Sequence, residues 1–444
     1  METPQETPIA RLVLPSDVAE QWTVVEEVLH RPLLHLADLD AILTKFASFD
    51  RQPRVCKFFE TIPGSADAGS FDFAFFLEKA VPLMVTLALE MPSLFAGVEV
   101  PIFKMRSTWT TPATLTKQSV SLSRRQCACL LVHSFFGSLK RPATIQPNDW
   151  RFTVVDLFMG TAVSPNSALT FLNYFNVLAK TEIPDELVTF ERRGYPKGPS
   201  PWTWENNSKP LCPVTLITGN IDDSTADLHT EFANAFIGGG VMTGDAAMEE
   251  TLFLVKPELM VAMALQHRMV DEEAICVLGA RKYSTTSGFG QSFTFGGDYD
   301  NKRPGPPATV AAIDAVRGGG PAMTEAAMLR DMNKARIAFD GANEVATGHW
   351  GCGAFGNNHD LMFLKQWLAA SDAGVKKVLY HDFDKKQSHH IFPLIRKMGH
   401  LTVGQAWAFL QEITHDLRQP HNMTAFCSRI ADISVGKLKV PAKA

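Results

Sequence analysis

Short β-rich runs alternate with helical runs between Pro213 and Leu417, and this alternation limits the folds open to the chain. Runs rich in β-branched and apolar residues predict six strands, in "PVTLITGNI", "LHTEFANAFI", "AICVLGARKY", "ATVAAIDAV", "NEVATG" and "KKVLYHDF". Apolar residues at helical spacing predict helices over Ala246–Val255, Pro257–Gln266, Pro321–Ala338, Asp360–Ser371 and Val403–Leu417. The pattern favours an α/β fold in which a largely parallel or mixed sheet lies between helices.

The first 200 residues show a different pattern. Apolar residues recur at helical spacing in "LLHLADLDAILTKFASF", "AVPLMVTLALEM", "RRQCACLLVHSFFGSL" and "SALTFLNYFNVLAKT", and neither a phosphate loop nor a metal-ligand spacing occurs there. A stretch rich in Pro, Gly and Asn, Arg192–Pro213, follows. We therefore predict an all-α accessory domain over residues 1–205 and an α/β domain over residues 206–444.

Composition narrows the class of protein further. The chain has 444 residues, a net charge of -5 and seven scattered cysteines, so we expect neither a general nucleic-acid-binding surface nor a disulfide framework. The N-terminal "METPQETPIA" lacks the basic and apolar regions of a secretory signal. The most apolar run, Phe73–Pro92, contains Glu78, Lys79 and Pro82, so we expect a buried helix pair instead of a membrane span. These features predict a soluble intracellular protein.

The stretch "FANAFIGGGVMTGDAAMEETLF" contains three consecutive glycines, Gly238 to Gly240. Glycine permits positive φ and lets backbone N–H groups approach an anion closely. The alternative is a plain turn. Gly239 and Gly244 have the spacing of a nucleoside-triphosphate-binding loop, but Asp245 occupies the lysine position, so we do not expect a triphosphatase.

Two adjacent glutamates, Glu249 and Glu250, begin the apolar segment after these glycines. Adjacent helical residues point about 100° apart, so this pair cannot flank a sugar from opposite sides as in ordinary glycosidases. The two acids either complement the helix dipole or have separate tasks, one orienting a substrate and the other moving a proton. If Asp245 caps the helix, Met248 stands at N3 and cannot complete a capping box.

A second glycine-rich loop, "TGHWGCGAFG", follows another predicted strand. Two such loops after strands favour one phosphate-bearing ligand held from two sides. Cys352 within this loop is either a nucleophile or, as we prefer without an evident partner histidine, a small buried residue. One cluster of possible metal ligands comprises His381, Asp382, Asp384, His389 and His390. It lacks a fixed metal-binding spacing, so we predict a solvated loop there and no metal.

Three glycines, eight residues, Glu-Glu and "FLVKPEL" together closely resemble the signature of poly(ADP-ribose) glycohydrolases. "TGHWGCGAFG" resembles the second loop of that family, and the likeness extends through "EFANAF", "ARKYSTTSGFG", "VAAIDAV", "MNKARIAF" and "LTVGQAW". The resemblance implies a macrodomain-like catalytic domain, a mixed sheet between helices, preceded by a helical accessory domain. It also implies hydrolysis of the ribose–ribose bonds of poly(ADP-ribose), mainly from chain ends, with release of ADP-ribose.

The same resemblance implies further properties. The substrate is poly(ADP-ribose) on ADP-ribosylated proteins, the product is ADP-ribose, and the enzyme is a monomer of the nucleus or cytoplasm that acts in the DNA damage response. No cofactor or metal is required, and neither nucleic acid nor membrane is a partner.

Individual roles also follow from the resemblance. Glu250 corresponds to the acid that protonates the leaving ribose oxygen, Glu249 to the residue that holds the ribose, and Asn234 to a ribose-binding asparagine. The other positions matched to the ribose site, the two diphosphate loops and the adenine pocket are Glu231, Gly238, Gly239, Gly240, Ile221, Asp222, Phe289, Gly351, Cys352, Gly353, Ala354, Phe355 and Phe383.

The chain departs from the family pattern at five positions. Met248 replaces a glutamine, Glu231 an aspartate and His349 an asparagine. Thr286 and Phe289 replace two tyrosines, of which the second offers its hydroxyl near the diphosphate. The proton-transfer group is retained, which favours an active enzyme. The alternatives are a poly(ADP-ribose) or ADP-ribose binding module that has lost turnover, and an unrelated nucleotide-binding protein that matches both loops by coincidence.

Overall fold

The computed structural model describes residues 11–31, 36–46, 58, 60, 62, 69–104, 115–158, 165–300, 307–382, 389–415 and 423–440. The strands in these ranges are β1 (Thr116–Ser123), β2 (Leu187–Gly194), β3 (Val214–Ile217), β4 (Leu228–Phe232), β5 (Glu273–Leu278), β6 (Ser284–Ser287), β7 (Thr294–Asp298), β8 (Thr309–Ile313), β9 (Glu344–Thr347) and β10 (Lys377–His381). The α-helices there are α1 (Ala19–Leu29), α2 (Leu36–Phe46), α3 (Phe73–Phe75), α4 (Val81–Leu89), α5 (Met91–Leu94), α6 (Arg124–Phe136), α7 (Pro165–Lys180), α8 (Met248–Val255), α9 (Ala262–Leu265), α10 (Glu325–Ala338), α11 (His359–Ala373), α12 (Ile391–Met398), α13 (Val403–His415) and α14 (Met423–Ser434).

Eight strands form one mixed sheet in the order β1-β2-β5-β8-β4-β9-β10-β3. Strands β8, β4, β9, β10 and β3 run parallel, whereas β1, β2 and β5 pair antiparallel. The six predicted strands all belong to this sheet, so the expected mixed sheet is confirmed. Strands β1 and β2 come from the half that we expected to be helical, and they extend the sheet by two strands.

The sheet lies between two helical layers. Alternate residues of its strands face opposite sides, so each face packs against its own set of helices. In β5, Ile275 and Val277 belong to the core that the N-terminal helices fill, whereas Ala274 and Cys276 belong to the core on the other face. Helices α10, α11 and α13 contribute the large apolar side chains of that second core. This arrangement is the predicted α/β sandwich.

The most apolar segment forms several short helices. Helix α3 continues through a π-helical turn, Phe76–Ala80, into α4, where Pro82 occupies the first turn, and α5 follows directly. Helices α4 and α5 match the predicted helix pair, and Met84 and Leu87 are fully buried. Within the described ranges, the helices are too short or too polar to span a bilayer.

A buried ion pair joins the N-terminal helices to the segment that follows α8. Arg124, at the start of α6, donates 2.6 Å hydrogen bonds to both carboxylate oxygens of Glu258. Glu258 also accepts from the hydroxyl of Tyr283 at 2.6 Å and from the backbone N–H of Arg281 at 2.9 Å. A fully buried carboxylate needs such partners, since an unpaired charge is costly in the interior. The sheet and this ion pair both join residues from the two sides of the predicted domain boundary at residue 205. The position of that boundary stays a prediction.

The parallel strands direct their connecting loops to one edge of the sheet. Strand β4 ends at Phe232 and leads into the glycine loop, which comprises residues 233–247. Strand β9 ends at Thr347 and leads into the second loop, residues 348–358, and β3 leads into the turn Ile221–Asp223. The carboxyl ends of parallel strands meet at the same edge, where ligands bind in open α/β sheets.

Candidate active site

The glycine loop folds around the carboxylate of Glu249. The backbone N–H of Asn234 donates to Oε2 of Glu249 at 2.8 Å, and that of Gly238 donates to Oε1 at 2.7 Å. The N–H of Met269 donates to the carbonyl of Ala235 at 2.7 Å and fixes the outer side of the loop. Both oxygens of this buried carboxylate are therefore engaged, and Glu249 holds the loop in shape.

Glu250 has a different environment from that of its neighbour. The backbone N–H of Gly240 donates to Oε1 of Glu250 at 2.8 Å. Oε2 of Glu250 is buried and accepts no hydrogen bond from the part of the chain that the structure describes. A buried acceptor without a partner is uncommon, and a catalytic role or a bound water or ligand is the usual reason for one. The two glutamates thus have separate surroundings, as their spacing on a helix predicts.

Gly239 lies where the two carboxyl groups converge. A Cβ atom at this position would lie 2.3 Å from Oε1 of Glu250 and 2.8 Å from Oε2 of Glu249. The φ of Gly239 is +51°, which side-chain-bearing residues rarely adopt. Both the backbone conformation and the available space therefore require glycine here.

The amides of the three glycines already have acceptors within the protein. Gly238 and Gly240 donate to the two glutamates, and Gly239 donates to the carbonyl of Phe236 at 3.2 Å. We expected these N–H groups to approach a ligand anion, and in this structure they position acids instead. Their assignment to the first diphosphate loop stays a prediction.

The expected helix cap at Asp245 is wrong. Helix α8 begins at Met248, its N-cap residue is Ala247, and that cap makes no side-chain hydrogen bond. Oδ1 of Asp245 instead accepts from the backbone N–H of Ala246 at 2.8 Å, before the helix. Met248 is therefore the first helical residue and is 55% exposed, and Glu250 holds the N3 position. An acid at N3 can reach back to the N-terminal amides of the helix, so capping by the side chain of Asp245 is not required.

Three buried carboxyl groups share the site. Burial and the charge of Glu250 raise the pKa of Glu231, near the end of β4, to about 8. Burial and the neighbouring Glu231 also raise the pKa of Glu249 well above its ordinary value. Burial raises the pKa of Glu250, although the N–H of Gly240 opposes this effect. Like charges that are buried together disfavour ionisation of all three groups, so the site retains a proton near neutral pH.

The second loop offers amides that have no hydrogen-bond partner in the described part of the chain. The N–H groups of Gly353, Ala354 and Phe355 donate no hydrogen bond to any other described residue. The side-chain amide of Asn357 donates to the carbonyl of Gly351 at 3.1 Å, and the N–H of Gly318 donates to the carbonyl of Phe355 at 2.7 Å. Consecutive amides that lack a partner in the described residues are of the kind that can bind an anion.

Cys352 lies in this loop with its side chain largely buried. Its thiol donates to the carbonyl of Trp350 at 3.5 Å. Burial raises the pKa of the Cys352 thiol to about 12, so the thiol stays protonated at neutral pH. Because the thiolate is the nucleophilic form, the interpretation as a small buried residue is the better one.

The turn after β3 contains both residues matched to adenine. The carboxylate of Asp222 lies 2.5 Å from Nζ of Lys256 and 2.7 Å from Nζ of Lys282. Burial opposes ionisation, but the two ammonium groups outweigh it and lower the pKa of Asp222 well below its ordinary value. Ile221 packs against β9 and β10 in a small apolar cluster. Phe383, the third adenine candidate, lies outside the described residues.

Sequence reasoning missed Lys256. Its side chain is buried, and it links the end of α8 to the turn that carries Asp222. A lone lysine in the apolar run "TLFLVKPEL" was the available signal, since a charged residue in such a run needs a buried partner.

The histidine and aspartate cluster does not form one solvated loop. His381 ends strand β10, is buried, and its Nδ1 lies 3.0 Å from the carbonyl oxygen of Gly219. Nδ1 of His390 lies 3.2 Å from Oδ2 of Asp360 instead. The solvated-loop prediction is therefore wrong for His381, because the strand carries it into the sheet. Among the residues described, no three or more His, Cys, Asp and Glu side chains gather as metal ligands do, and Asp384 lies outside this set.

Phe289 lies in the connection between β6 and β7, beside the glycine loop. The N–H of Gly290 donates to the carbonyl of Ala246 at 2.7 Å and ties this connection to the segment before α8. The ring of Phe289 is 42% exposed, so it has room for a ligand on its open side. His349, another departure from the family pattern, lies 3.3 Å from Oδ1 of Asp382.

The fold and the site define a class of protein: a macrodomain that carries a helical domain and buries two adjacent glutamates beneath a glycine loop. A family model described as poly(ADP-ribose) glycohydrolase, macro domain fold, matches residues 202–390. A second model, poly(ADP-ribose) glycohydrolase, helical domain, matches residues 72–192. The chain belongs to the poly(ADP-ribose) glycohydrolase family, a family of glycosidases, which confirms the resemblance and the expected fold class.

Several known proteins are similar to this chain. A probable poly(ADP-ribose) glycohydrolase 2 of Arabidopsis thaliana is 27% identical over 414 residues, which cover 77% of this chain and 78% of the relative. Poly(ADP-ribose) glycohydrolase 1 of the same plant is 24% identical over 432 residues, with coverage of 76% and 77%. A crystal structure of the Deinococcus radiodurans poly(ADP-ribose) glycohydrolase in complex with ADP-ribose is 15% identical, with a TM-score of 0.27, and covers 46% of this chain and 86% of its own.

Proposed function

We propose that this chain hydrolyses the ribose–ribose O-glycosidic bonds of poly(ADP-ribose), mainly from chain ends, and releases ADP-ribose. The observation that carries the proposal is the carboxyl of Glu250. One backbone amide aims it, and its second oxygen is buried with no partner in the ranges that the structure describes. Membership of a glycosidase family supports the reaction class. The polymer as substrate and the direction of attack are the parts that need an experiment.

Glu250 acts as the general acid in this proposal. Its protonated carboxyl transfers a proton to the leaving ribose oxygen while the bond to the anomeric carbon breaks and that carbon becomes an oxocarbenium ion. Water then adds to this carbon, and the carboxylate of Glu250 takes back one proton. Burial, which raises the pKa of Glu250, supports the protonated form at the start. Acid catalysis of this kind contributes about 10²–10⁴-fold to the rate.

Glu249 and Asn234 position the ribose. Glu249 fixes the loop through the N–H groups of Asn234 and Gly238, so its carboxylate and the ribose site move as one unit. The side-chain oxygen of Asn234 accepts from the N–H of Phe236 at 3.0 Å, which orients its exposed amide nitrogen away from that contact. This nitrogen is then a donor for a ribose hydroxyl. Precise placement of reacting groups accounts for much of enzymatic rate enhancement.

The second loop binds the diphosphate without a metal. The N–H groups of Gly353, Ala354 and Phe355, which have no acceptor among the described residues, supply three donors on one loop. The guanidinium of Arg317 lies 5.4 Å from the ring centroid of Phe355 and adds positive charge at the same place. Backbone amides aimed at an anion are an established means of phosphate binding.

A module that binds the polymer without cleaving it is the second candidate. Phe289 and Met248 favour it, because neither offers the polar group that the family has at these positions. Incubation of the purified protein with radiolabelled polymer separates the cases. Early accumulation of free ADP-ribose supports attack from chain ends, intermediate lengths indicate internal cleavage, and retained polymer binding without any product supports the binding module.

The setting of the reaction is also part of the proposal. We expect a monomer that acts on ADP-ribosylated proteins in the nucleus or the cytoplasm during the DNA damage response. Light scattering of the purified protein tests the monomer, and microscopy of the tagged chain before and after DNA damage tests the compartment.

A further inference from the structure

Two arginines flank one aromatic ring at the rim of the glycine loop. The guanidinium carbon of Arg151 lies 4.4 Å from the ring centroid of Phe236, and that of Arg268 lies 6.0 Å from the same centroid. Phe236 is two residues from Asn234, and its N–H donates to the side chain of Asn234. The hydrogen bond from Met269 to Ala235 holds Arg268 beside the loop. Both cations therefore lie next to the proposed ribose site.

The charges of these two arginines have no ion-pair partner among the described residues. Both side chains are exposed, and neither forms an ion pair or a side-chain hydrogen bond with any residue that the structure describes. Two other arginines differ in this respect: Arg192 binds Glu273, and Arg330 binds Asp314. A guanidinium has five N–H donors in a planar fork, and cation–π contact with Phe236 leaves those donors free.

Further charges near this rim are mixed. Lys104 is exposed, and its charge helps to lower the pKa of His267, although burial and Arg192 are the larger causes. The charge of Asp149 acts on His267 in the opposite direction. The charge of Glu273 acts in the same direction as that of Asp149, but Glu273 is paired with Arg192. The two groups that flank Phe236 are both cations.

We infer that Arg151 and Arg268 form a subsite for the diphosphate of the ADP-ribose unit on the leaving side of the scissile bond. This inference rests on the proposed function, because it assumes that a terminal unit fills the pocket between the two glycine-rich loops. The leaving chain then begins at the ribose site beside Asn234, and each of its units carries a diphosphate with two negative charges. Guanidinium groups bind phosphate oxygens in a bidentate manner, and Phe236 holds both forks at the rim.

The subsite contributes to binding of the polymer and takes no part in the bond-breaking step. Its loss should weaken the binding of substrates that carry a second diphosphate and spare those that end at the scissile bond. It should also reduce the dependence of polymer binding on salt concentration, since fewer counterions are released from the polyanion.

The test uses Arg151→Gln, Arg268→Gln and the double variant in the full chain. Arg396→Gln is the matched control, because Arg396 lies 6.0 Å from the ring centroid of the exposed Phe392 on α12, a helix that packs against α14. Two substrates are compared: poly(ADP-ribose), and ADP-ribose that carries a phenol leaving group on its distal ribose. On the polymer, kcat/KM should fall about 3-fold for each single variant and about 10-fold for the double variant. On the phenol substrate it should not change, and Arg396→Gln should match wild type on both.

Equal losses on both substrates would overturn the subsite, and so would an unchanged rate on the polymer. If the wild-type protein binds polymer but cleaves nothing, the proposed function fails, and binding then tests the subsite alone. The double variant should still bind monomeric ADP-ribose as wild type does and bind the polymer about 10-fold more weakly. Unchanged polymer binding would exclude the subsite in that case too.

Discussion

The backbone N–H of Gly240 donates a 2.8 Å hydrogen bond to one carboxyl oxygen of Glu250, and the other oxygen is buried without a partner among the described residues. One bond is enough to aim the carboxyl, and the second oxygen stays available to a ligand. The same loop engages both oxygens of Glu249. The glycine loop therefore distinguishes two adjacent acids: it engages both carboxyl oxygens of Glu249 and one of Glu250.

Gly239→Ala should inactivate the site while the fold persists. A Cβ there would meet Oε1 of Glu250 at 2.3 Å and displace the carboxyl, and misplacement by about 1 Å can cost on the order of 10²-fold in rate. Gly290→Ala is the control, since Gly290 has a similar φ of +56° and open space around its Cβ position. Single-turnover release and thermal unfolding should be measured for both variants. Equal activity in the two would contradict the account.

Glu231→Gln should flatten the pH dependence of stability. The pKa of Glu231 rises from 4.5 to about 8 on folding, because burial and Glu250 disfavour its ionised form. The folded state therefore binds more protons than the unfolded state between these values, so the free energy of unfolding falls as pH rises through that window. The variant lacks this titrating group, so the free energy of unfolding should fall less steeply with pH. The slope that remains should come from Glu249 and Glu250. Denaturant titrations at pH 5, 6.5 and 8 measure the slope, and an unchanged slope would exclude a raised pKa at Glu231.

Phe289→Tyr should tighten ADP-ribose binding. The ring is 42% exposed beside the glycine loop, so an added hydroxyl can reach a bound diphosphate without being buried unpaired. One such hydrogen bond is worth about 0.5–1.5 kcal/mol. Calorimetric titration with ADP-ribose measures the change, with Phe392→Tyr, an exposed ring on α12, as the control. Unchanged or weaker binding would count against this position for the ring.

Activity should withstand EDTA and need no added magnesium. The proposed mechanism uses backbone amides for the diphosphate and a carboxyl for the proton, and neither requires an ion. Release of ADP-ribose should be compared before chelation, after it, and after return of magnesium or zinc. Loss of release on chelation, with recovery on adding metal, would mean that the proposed mechanism is incomplete.

The strands and loops of the sheet were predictable from local pattern. "LHTEFANAFI" combines β-branched and apolar residues, and it forms β4 with the glycine loop after it. Because the parallel strands end at one edge, the sequence also predicted that the two glycine-rich loops lie together. A short run of β-branched and apolar residues was sufficient to predict this strand, because its local β propensity agrees with its burial in the sheet.

Other features depend on contacts that no local pattern reveals. Strand β1, "TKQSVSLS", is polar and half exposed, and it forms because β2 pairs with it along eight residues. The cap expected at Asp245 failed because Glu250 takes the N3 position and the helix begins later. The pairing of Lys256 with Asp222 joins residues 34 positions apart, and only the fold brings them together.

Glu250→Gln tests the central claim most directly. The amide keeps the shape of the side chain and can still accept from Gly240, but it cannot supply a proton. Single-turnover release of ADP-ribose from poly(ADP-ribose) should fall about 10²–10⁴-fold, while calorimetric binding of ADP-ribose stays close to that of the wild-type protein. Near-normal release by this variant would remove Glu250 from the mechanism and contradict the account.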